Sequence, residues 1–293
     1  MRFEKWQALG NDYLIVEREQ LPFELTPARI RRLCEGHLGV SADGVLVLSR
    51  PADAGDVADL RIFNPDGSEA ELSGNGAREA VLYLRRRGWT NRDSFSVHTA
   101  AGRVRPTIIG TETCSVEMGR AALQSSDFPT GPPDGRGEVS SGNRRFRFRH
   151  VSIGNPQCAI EVTSEPELAS LDLAAIGPAI ESDRQFPNRT NVSWYTELEP
   201  TTKAHPGRIR ARIFERGAGE TLSSGTGACG AAVAYVVERG IGPGGDTVIV
   251  LLDGGELEVR VGEELDITLT GWARPVFEGT LSDEFEKELH ETE

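Results

Sequence analysis

The sequence predicts an α+β protein of two pseudo-twofold-related lobes that arose by internal duplication. The first observation behind this is a heptad, Ser73-Gly74-Asn75-Gly76-Ala77-Arg78-Glu79, which returns 151 positions later as Ser224-Gly225-Thr226-Gly227-Ala228-Cys229-Gly230. The second is a shared approach: Arg61-Ile62-Phe63 and Arg212-Ile213-Phe214 each place a Phe ten residues before the Ser, with Glu69 and Glu220 at one intermediate position. The third is a set of weaker echoes. Gly10-Asn11 and an apolar stretch to Glu17 match Gly154-Asn155 and a stretch to Glu161 at an offset of 144, and residues 97–102 and 115–119 match 250–254 and 267–271. Solenoid repeats run only ~20–50 residues, so two matched lobes holding one ligand from both sides fit better.

Short β-branched and aromatic runs bounded by turn residues read as strands at residues 3–16, 43–48, 60–63, 95–98 and 103–109, and the second half repeats them. After each Ser-Gly-x-Gly-Ala the pattern becomes an alanine- and leucine-rich stretch with helical spacing, residues 77–84 and 228–237. The Pro/Gly/Ser-rich segment 119–143 reads as a linker or exposed hairpin containing the join. Lobes are therefore expected at 1–117 and 118–273, with 274–293 packing back on the first and a polar terminal helix from residue 283.

Composition narrows the function. A chain of 293 residues holds two lobes of ordinary size. Its formal charge of −13 argues against a sequence-independent nucleic-acid binder, which needs a basic face to release counterions. The basic cluster Arg144, Arg145, Arg147 and Arg149 reads as a solvated face. No apolar run approaches the ~18 residues of a membrane span. The start, Met1-Arg2-Phe3-Glu4-Lys5, lacks a signal-peptide pattern, so a cytoplasmic protein without a membrane partner is expected. Arg outnumbers Lys by 29 to 3, which leaves few candidates for a Schiff base. Cys34, Cys114, Cys158 and Cys229 show no C-x-x-C spacing and the five histidines no H-x-x-x-H pair, so buried thiols and no metal are expected.

Each repeated Ser falls where a strand and polar loop give way to a helix. Free amides and the positive end of the helix dipole converge there, and glycines let a ligand approach the backbone, which makes an anion pocket. The plainer account is a Ser N-cap worth about 1 kcal/mol. Neither copy matches GxxxxGK[ST], and two copies with matched approach strands favour a ligand site.

Lys5-Trp6-Gln7-Ala8-Leu9-Gly10-Asn11-Asp12-Tyr13, Ala42-Asp43-Gly44 and Phe63-Asn64-Pro65-Asp66-Gly67-Ser68-Glu69-Ala70-Glu71 precede the first heptad. Gly154-Asn155-Pro156, Asn191-Val192 and Glu215-Arg216-Gly217-Ala218-Gly219-Glu220-Thr221-Leu222 precede the second. In this order, over nearly the whole chain, they resemble the diaminopimelate epimerase family. The resemblance implies lobes that are each a curved, mostly antiparallel sheet around a central helix, and a homodimer. It also implies cofactor-independent interconversion of LL- and meso-diaminopimelate, on the route to lysine and peptidoglycan, in which one residue removes the α-proton and a second delivers a proton to the other face. Carried over by position, Asn11, Asn64, Asn155, Asn191, Glu215 and Arg216 would contact the amino-acid substrate, chiefly its distal end. Gly74, Asn75, Gly225 and Thr226 would supply backbone donors to the carboxylate near the reacting carbon. Turn formation is the other account of the asparagines.

One departure bears on the chemistry. The family's two proton-transfer cysteines are matched here by Ser73 and Ser224, and Gln157 stands where the family has His after Gly-Asn-Pro. A thiol titrates near ~8.5 and an alkyl hydroxyl nearer water's ~15.7, a gap of about 7 units or about 10 kcal/mol. An unassisted serine is a poor base. Four readings stay open: an epimerase in which Glu215 or another group activates each hydroxyl, a Cys-to-Ser variant that holds ligand, a hydroxy-amino-acid dehydratase, and a non-catalytic amino-acid-binding protein. Cys229, five residues beyond Ser224, is expected on another face of the helix.

Overall fold

The structure, a computed structural model, describes residues 1–202, 204–240, 242 and 244–292. The chain divides into two compact units, Met1–Val116 with Gly271–Glu293, and Glu117–Thr270. The first opens with β1 (Arg2–Ala8), β2 (Asn11–Glu17), α1 (Pro27–Cys34), β3 (Val45–Ser49), β4 (Ala58–Phe63) and β5 (Glu69–Ala70). It continues through α2 (Gly74–Arg86), β6 (Val97–Thr99), β7 (Gly102–Val104), β8 (Pro106–Ile108) and the start of β9 (Thr113–Arg120). The second carries β10 (Arg136–Ser141), β11 (Arg144–Ser152), β12 (Pro156–Glu161), α3 (Glu165–Ser170), α4 (Leu173–Glu181), β13 (Asn191–Glu199) and β14 (Gly207–Glu215). Then come β15 (Gly219–Thr221), α5 (Gly225–Arg239), β16 (Asp246–Leu252), β17 (Gly255–Val261) and β18 (Asp266–Trp272). The chain ends in the first unit with β19 (Arg274–Thr280) and α6 (Asp283–Glu291).

The expected α+β duplication is visible in the strand paths. The first unit's sheet runs β19-β1-β2-β3-β4-β6-β7 with β5 on β4, and the second unit's runs β10-β11-β12-β13-β14-β16-β17-β18 with β15 on β14. Corresponding pairs have corresponding directions: β2 with β3 and β12 with β13 are parallel, as are β4 with β6 and β14 with β16. Parallel neighbours need a long crossover, and α2 and α5 supply it between β4 and β6 and between β14 and β16.

Alternation along the strands decides what each face covers. In the first unit Phe3, Leu14, Val16, Val45, Val47 and Phe63 form a core with Ile30 and Leu33 of α1 and Leu289 of α6. The opposite parity faces α2, as shown by the edge contact of Trp6 with Tyr83 at 6.2 Å between ring centroids. Helix α5 is buried from Gly225 to Val236, and small residues suit a helix enclosed on every side.

Several elements differ from expectation for local reasons. Residues 3–16 form a hairpin rather than one strand, turning at Leu9 and Gly10 with φ of 55° and 83°. The stretch 103–109 divides at Arg105, so that β7 pairs with β6 while β8, opening on Pro106, pairs with β9. Segment 119–143 contains the β10 arm of the β10–β11 hairpin, and its Phe128 is buried in the second unit's core. The basic cluster is not a uniformly solvated face: Arg149 is 5% exposed, bonded to Glu238 and to the Asp134 carbonyl. All four cysteines are buried, and burial pushes the Cys34 and Cys114 thiols up to about 12.

Candidate functional site

Both repeated serines are helix N-caps. Ser73 (φ −127°, ψ 123°) and Ser224 (φ −138°, ψ 121°) are extended, and their Oγ atoms accept from Gly76 N at 3.1 Å and Gly227 N at 3.2 Å. The glycines are required by close approach. A Cβ at Gly76 would stand 3.0 Å from Leu46 Cδ2, and one at Gly227 would stand 2.7 Å from Ile213 Cδ1. The first i→i−4 bonds run from Ala77 N to Ser73 O and from Ala228 N to Ser224 O, so the amides of Gly74, Gly225 and Thr226 lie ahead of the helical ladder.

Supporting bonds repeat as well. Asn75 Nδ2 donates to Asn11 Oδ1 at 3.2 Å, and Asn155 Nδ2 donates to Thr226 Oγ1 at 3.2 Å, tying each helix start to the strand after a left-handed glycine, Gly10 (φ 83°) or Gly154 (φ 77°). Arg61 pairs with Glu69 at 2.8 Å and Arg212 with Glu220 at 2.7 Å.

The serine hydroxyls differ in their partners. In the first unit, Tyr13 Oη donates to Ser73 Oγ at 3.3 Å. Asn11 Nδ2 donates to Asp43 Oδ2 at 2.9 Å. Buried Arg78 donates to Gly74 O at 2.9 Å and to Asn75 Oδ1 at 2.7 Å, fixing the first turn. The next residue, Glu79, is fully buried, and among the described residues no side chain hydrogen-bonds its carboxyl oxygens. Burial pushes its acid well above the usual range, with Arg78 opposing. Asn64 Nδ2 is engaged within the β4–β5 loop, donating to Ser68 Oγ at 3.0 Å.

In the second unit, Ser224 Oγ donates to Glu215 Oε2 at 2.8 Å, and Thr221 Oγ1 donates to the other carboxylate oxygen at 2.8 Å. Gln157 is buried and donates to Asn155 Oδ1 at 2.8 Å. Its side chain presses on Gly230, where a Cβ would meet Gln157 Cβ at 2.8 Å. Asn191 acts on backbone: Nδ2 donates to Pro156 O at 3.1 Å, and Oδ1 accepts from Arg216 N at 2.8 Å. Arg216 Nη1 reaches Asn188 O at 2.8 Å. Glu181 accepts from Gly217 N at 2.9 Å and from Arg189 Nη1 at 3.0 Å, holding the turn that carries Glu215 and Arg216.

Thus Asn11, Gly74 and Asn75 gather at the Ser73 cap, while Asn155, Glu215, Gly225 and Thr226 gather at the Ser224 cap. Asn64, Asn191 and Arg216 serve the adjoining turns. Sequence reasoning passed over Tyr13 and Glu181. A signal existed for the first, since Tyr13 and Gln157 stand at the 144-residue offset that already relates Asn11 to Asn155.

The chain matches the family model described as diaminopimelate epimerase over residues 3–124 and 149–275. A diaminopimelate epimerase of Synechococcus sp. (strain JA-2-3B'a(2-13)) is 40% identical over 290 residues, covering 96% of this chain and 98% of the relative. One of Pelotomaculum thermopropionicum is 40% identical over 288 residues, covering 95% and 98%. Among solved structures, a probable proline racemase from Agrobacterium radiobacter K84 superposes with a TM-score of 0.70 at 16% identity, covering 98% of this chain and 95% of that one. A PhzF-family phenazine biosynthesis protein of Bacillus anthracis gives 0.66 at 19% identity, covering 96% and 99%. These two likenesses establish the fold. Taken with the sequence matches over nearly its full length, they place the chain in the diaminopimelate epimerase family.

Proposed function

We propose that the chain is a diaminopimelate epimerase that interconverts the LL and meso forms without pyridoxal phosphate or a metal, using Ser73 and Ser224 for proton transfer. The observation that carries this reading is the Ser224–Glu215 bond of 2.8 Å, because it supplies what an unassisted serine lacks. As Ser224 Oγ takes the α-proton, its own proton passes to Glu215, so the negative charge that begins on the carboxylate ends on the α-carbanion and no free alkoxide forms. The amides at the two helix N-termini are the donors we assign to the substrate carboxylate. Asn11, Asn75, Asn155 and Thr226 hold those termini; Asn64, Asn191 and Arg216 shape the turns that meet the distal end. Lys5, already paired with Asp12 at 3.1 Å, is no candidate for a Schiff base.

We assign the protein to the cytoplasm, a reducing compartment that suits its four buried cysteines. We also assign it a homodimeric state through β19, the terminal strand of the first unit's sheet, on which Val276 is 53% and Phe277 44% exposed. An edge strand with two exposed apolar side chains invites pairing with a second copy; sedimentation should give a dimer that Phe277→Lys turns into monomer. The test of the activity is incubation of the purified chain with LL-diaminopimelate and chiral separation of the products. Meso product without added cofactor is expected. Binding by calorimetry with no conversion would indicate a binding protein instead, and a keto product from a hydroxylated amino acid would indicate a dehydratase.

A further inference from the structure

The two caps draw their ionisable partner from different elements. Asn64 and Glu215 are equivalent at the 151-residue offset, and Tyr13 and Gln157 at the 144-residue offset. In the second unit the loop position bears the carboxylate on Ser224, while the strand position is an amide committed to Asn155. In the first unit the loop position is an amide committed to Ser68, and the strand position bears the phenol on Ser73. Among the described residues, the ionisable side chain bonded to Ser224 is Glu215 and that bonded to Ser73 is Tyr13. At Ser224 that partner accepts a proton; at Ser73 it donates one.

We propose that Tyr13 is the proton-transfer partner of Ser73, making Ser73–Tyr13 the donor-backed and Ser224–Glu215 the acceptor-backed half of the reaction. This rests on the epimerase reading above. The Tyr13–Ser73 separation of 3.3 Å is long for a resting O–H···O bond, and it shortens as Ser73 gains charge. When Ser73 Oγ–H protonates the α-carbanion, a Cα–H bond forms and the Oγ–H bond breaks. Tyr13 Oη–H then breaks to restore Ser73 Oγ–H, leaving a phenolate, which is an easier anion because phenols titrate near ~10 and alkyl hydroxyls near water's ~15.7. Glu215 then releases its proton to solvent and Tyr13 takes one from solvent, which closes the cycle. The opposite direction runs the same steps backwards.

The experiment compares Tyr13→Phe with Glu215→Gln by following exchange of the α-hydrogen into deuterated water from each epimer during long incubation. Epimerisation should fall by at least about 10²-fold in both, in kcat rather than KM. Exchange without inversion should persist in Tyr13→Phe from the epimer that gives its proton to Ser224, and in Glu215→Gln from the other. Placing Ser73→Cys beneath Tyr13→Phe should restore most of the loss, because a thiol near ~8.5 needs no phenol. Equal exchange from both epimers in Tyr13→Phe, or no rescue by Ser73→Cys, would overturn the assignment of Tyr13 while leaving the epimerase standing. No exchange from either epimer in the unaltered chain would overturn both.

Discussion

Replacing Glu215 by Gln removes the negative charge from the acceptor 2.8 Å from Ser224 Oγ while keeping the side chain's length. Thr221 already donates to the other carboxylate oxygen at 2.8 Å. The Gln carbonyl oxygen can satisfy one hydroxyl, and the amide NH2 then faces the other as a donor. Ser224 thereby loses a carboxylate able to take its proton and keeps only a hydroxyl, whose kind titrates near ~15.7. General-base assistance is worth about 10²–10⁴-fold, or about 3–5 kcal/mol of barrier. Glu215 is half-buried at a strand end, so the fold should lose no more than about 1.5 kcal/mol. Initial rates from LL-diaminopimelate, read by chiral chromatography and paired with thermal unfolding, should show kcat lowered by about 10²–10⁴-fold with KM little changed. A kcat within threefold of the unaltered chain would refute proton transfer to Glu215. A loss confined to KM would make it a substrate-binding residue only.

Glu79 is an acid whose folded form holds its proton above the unfolded value, so the unfolded chain ionises first as pH rises and stability falls. The slope is at most about 1.4 kcal/mol per pH unit above ~4.3. Glu79→Gln should remove the decline that begins above ~4.3 in urea unfolding, and an unchanged slope would contradict it. Gly230→Ala forces a methyl against Gln157 at 2.8 Å, for an overpacking cost of about 1–3 kcal/mol that the roughly 1 kcal/mol gain in helix propensity only partly offsets. A lowered Tm is expected, by about 2–4 °C for each net kcal/mol; an unchanged or raised Tm would show that the contact relaxes freely. Arg78→Met removes the guanidinium that joins Gly74 O to Asn75 Oδ1, and should destabilise the fold and weaken substrate binding together. Loss of neither would separate Arg78 from the helix cap.

The duplication was legible in sequence because it preserves local features. A strand ending in Phe, a ten-residue approach and a Ser-Gly-x-Gly cap are read within one short window, and both caps form at Ser73 and Ser224. The Ser224–Glu215 pair was within reach for the same reason, since nine residues and the tight β14–β15 turn separate its partners. Tyr13 and Ser73 lie sixty residues apart in the chain, and only the parity of β2 against α2 determines that the phenol faces the helix. Arg149 looked solvated because its neighbours in sequence are basic, and it shares a strand face with exposed Arg145 and Arg147, but there the Asp134 carbonyl and Glu238 of α5 cover and compensate it. Nothing local marked Glu79 as an acid shifted upward, because that shift is set by burial from elements distant in sequence.

The most direct measurement of the central claim is the position of deuterium early in conversion of LL-diaminopimelate in deuterated water. Proton transfer shared between Ser224, backed by Glu215, and a second serine predicts meso product carrying solvent deuterium at the inverted carbon while the remaining substrate carries almost none. Equal labelling of substrate and product would require a single base acting on both faces, and an absence of label in either would remove the chemistry assigned to both serines.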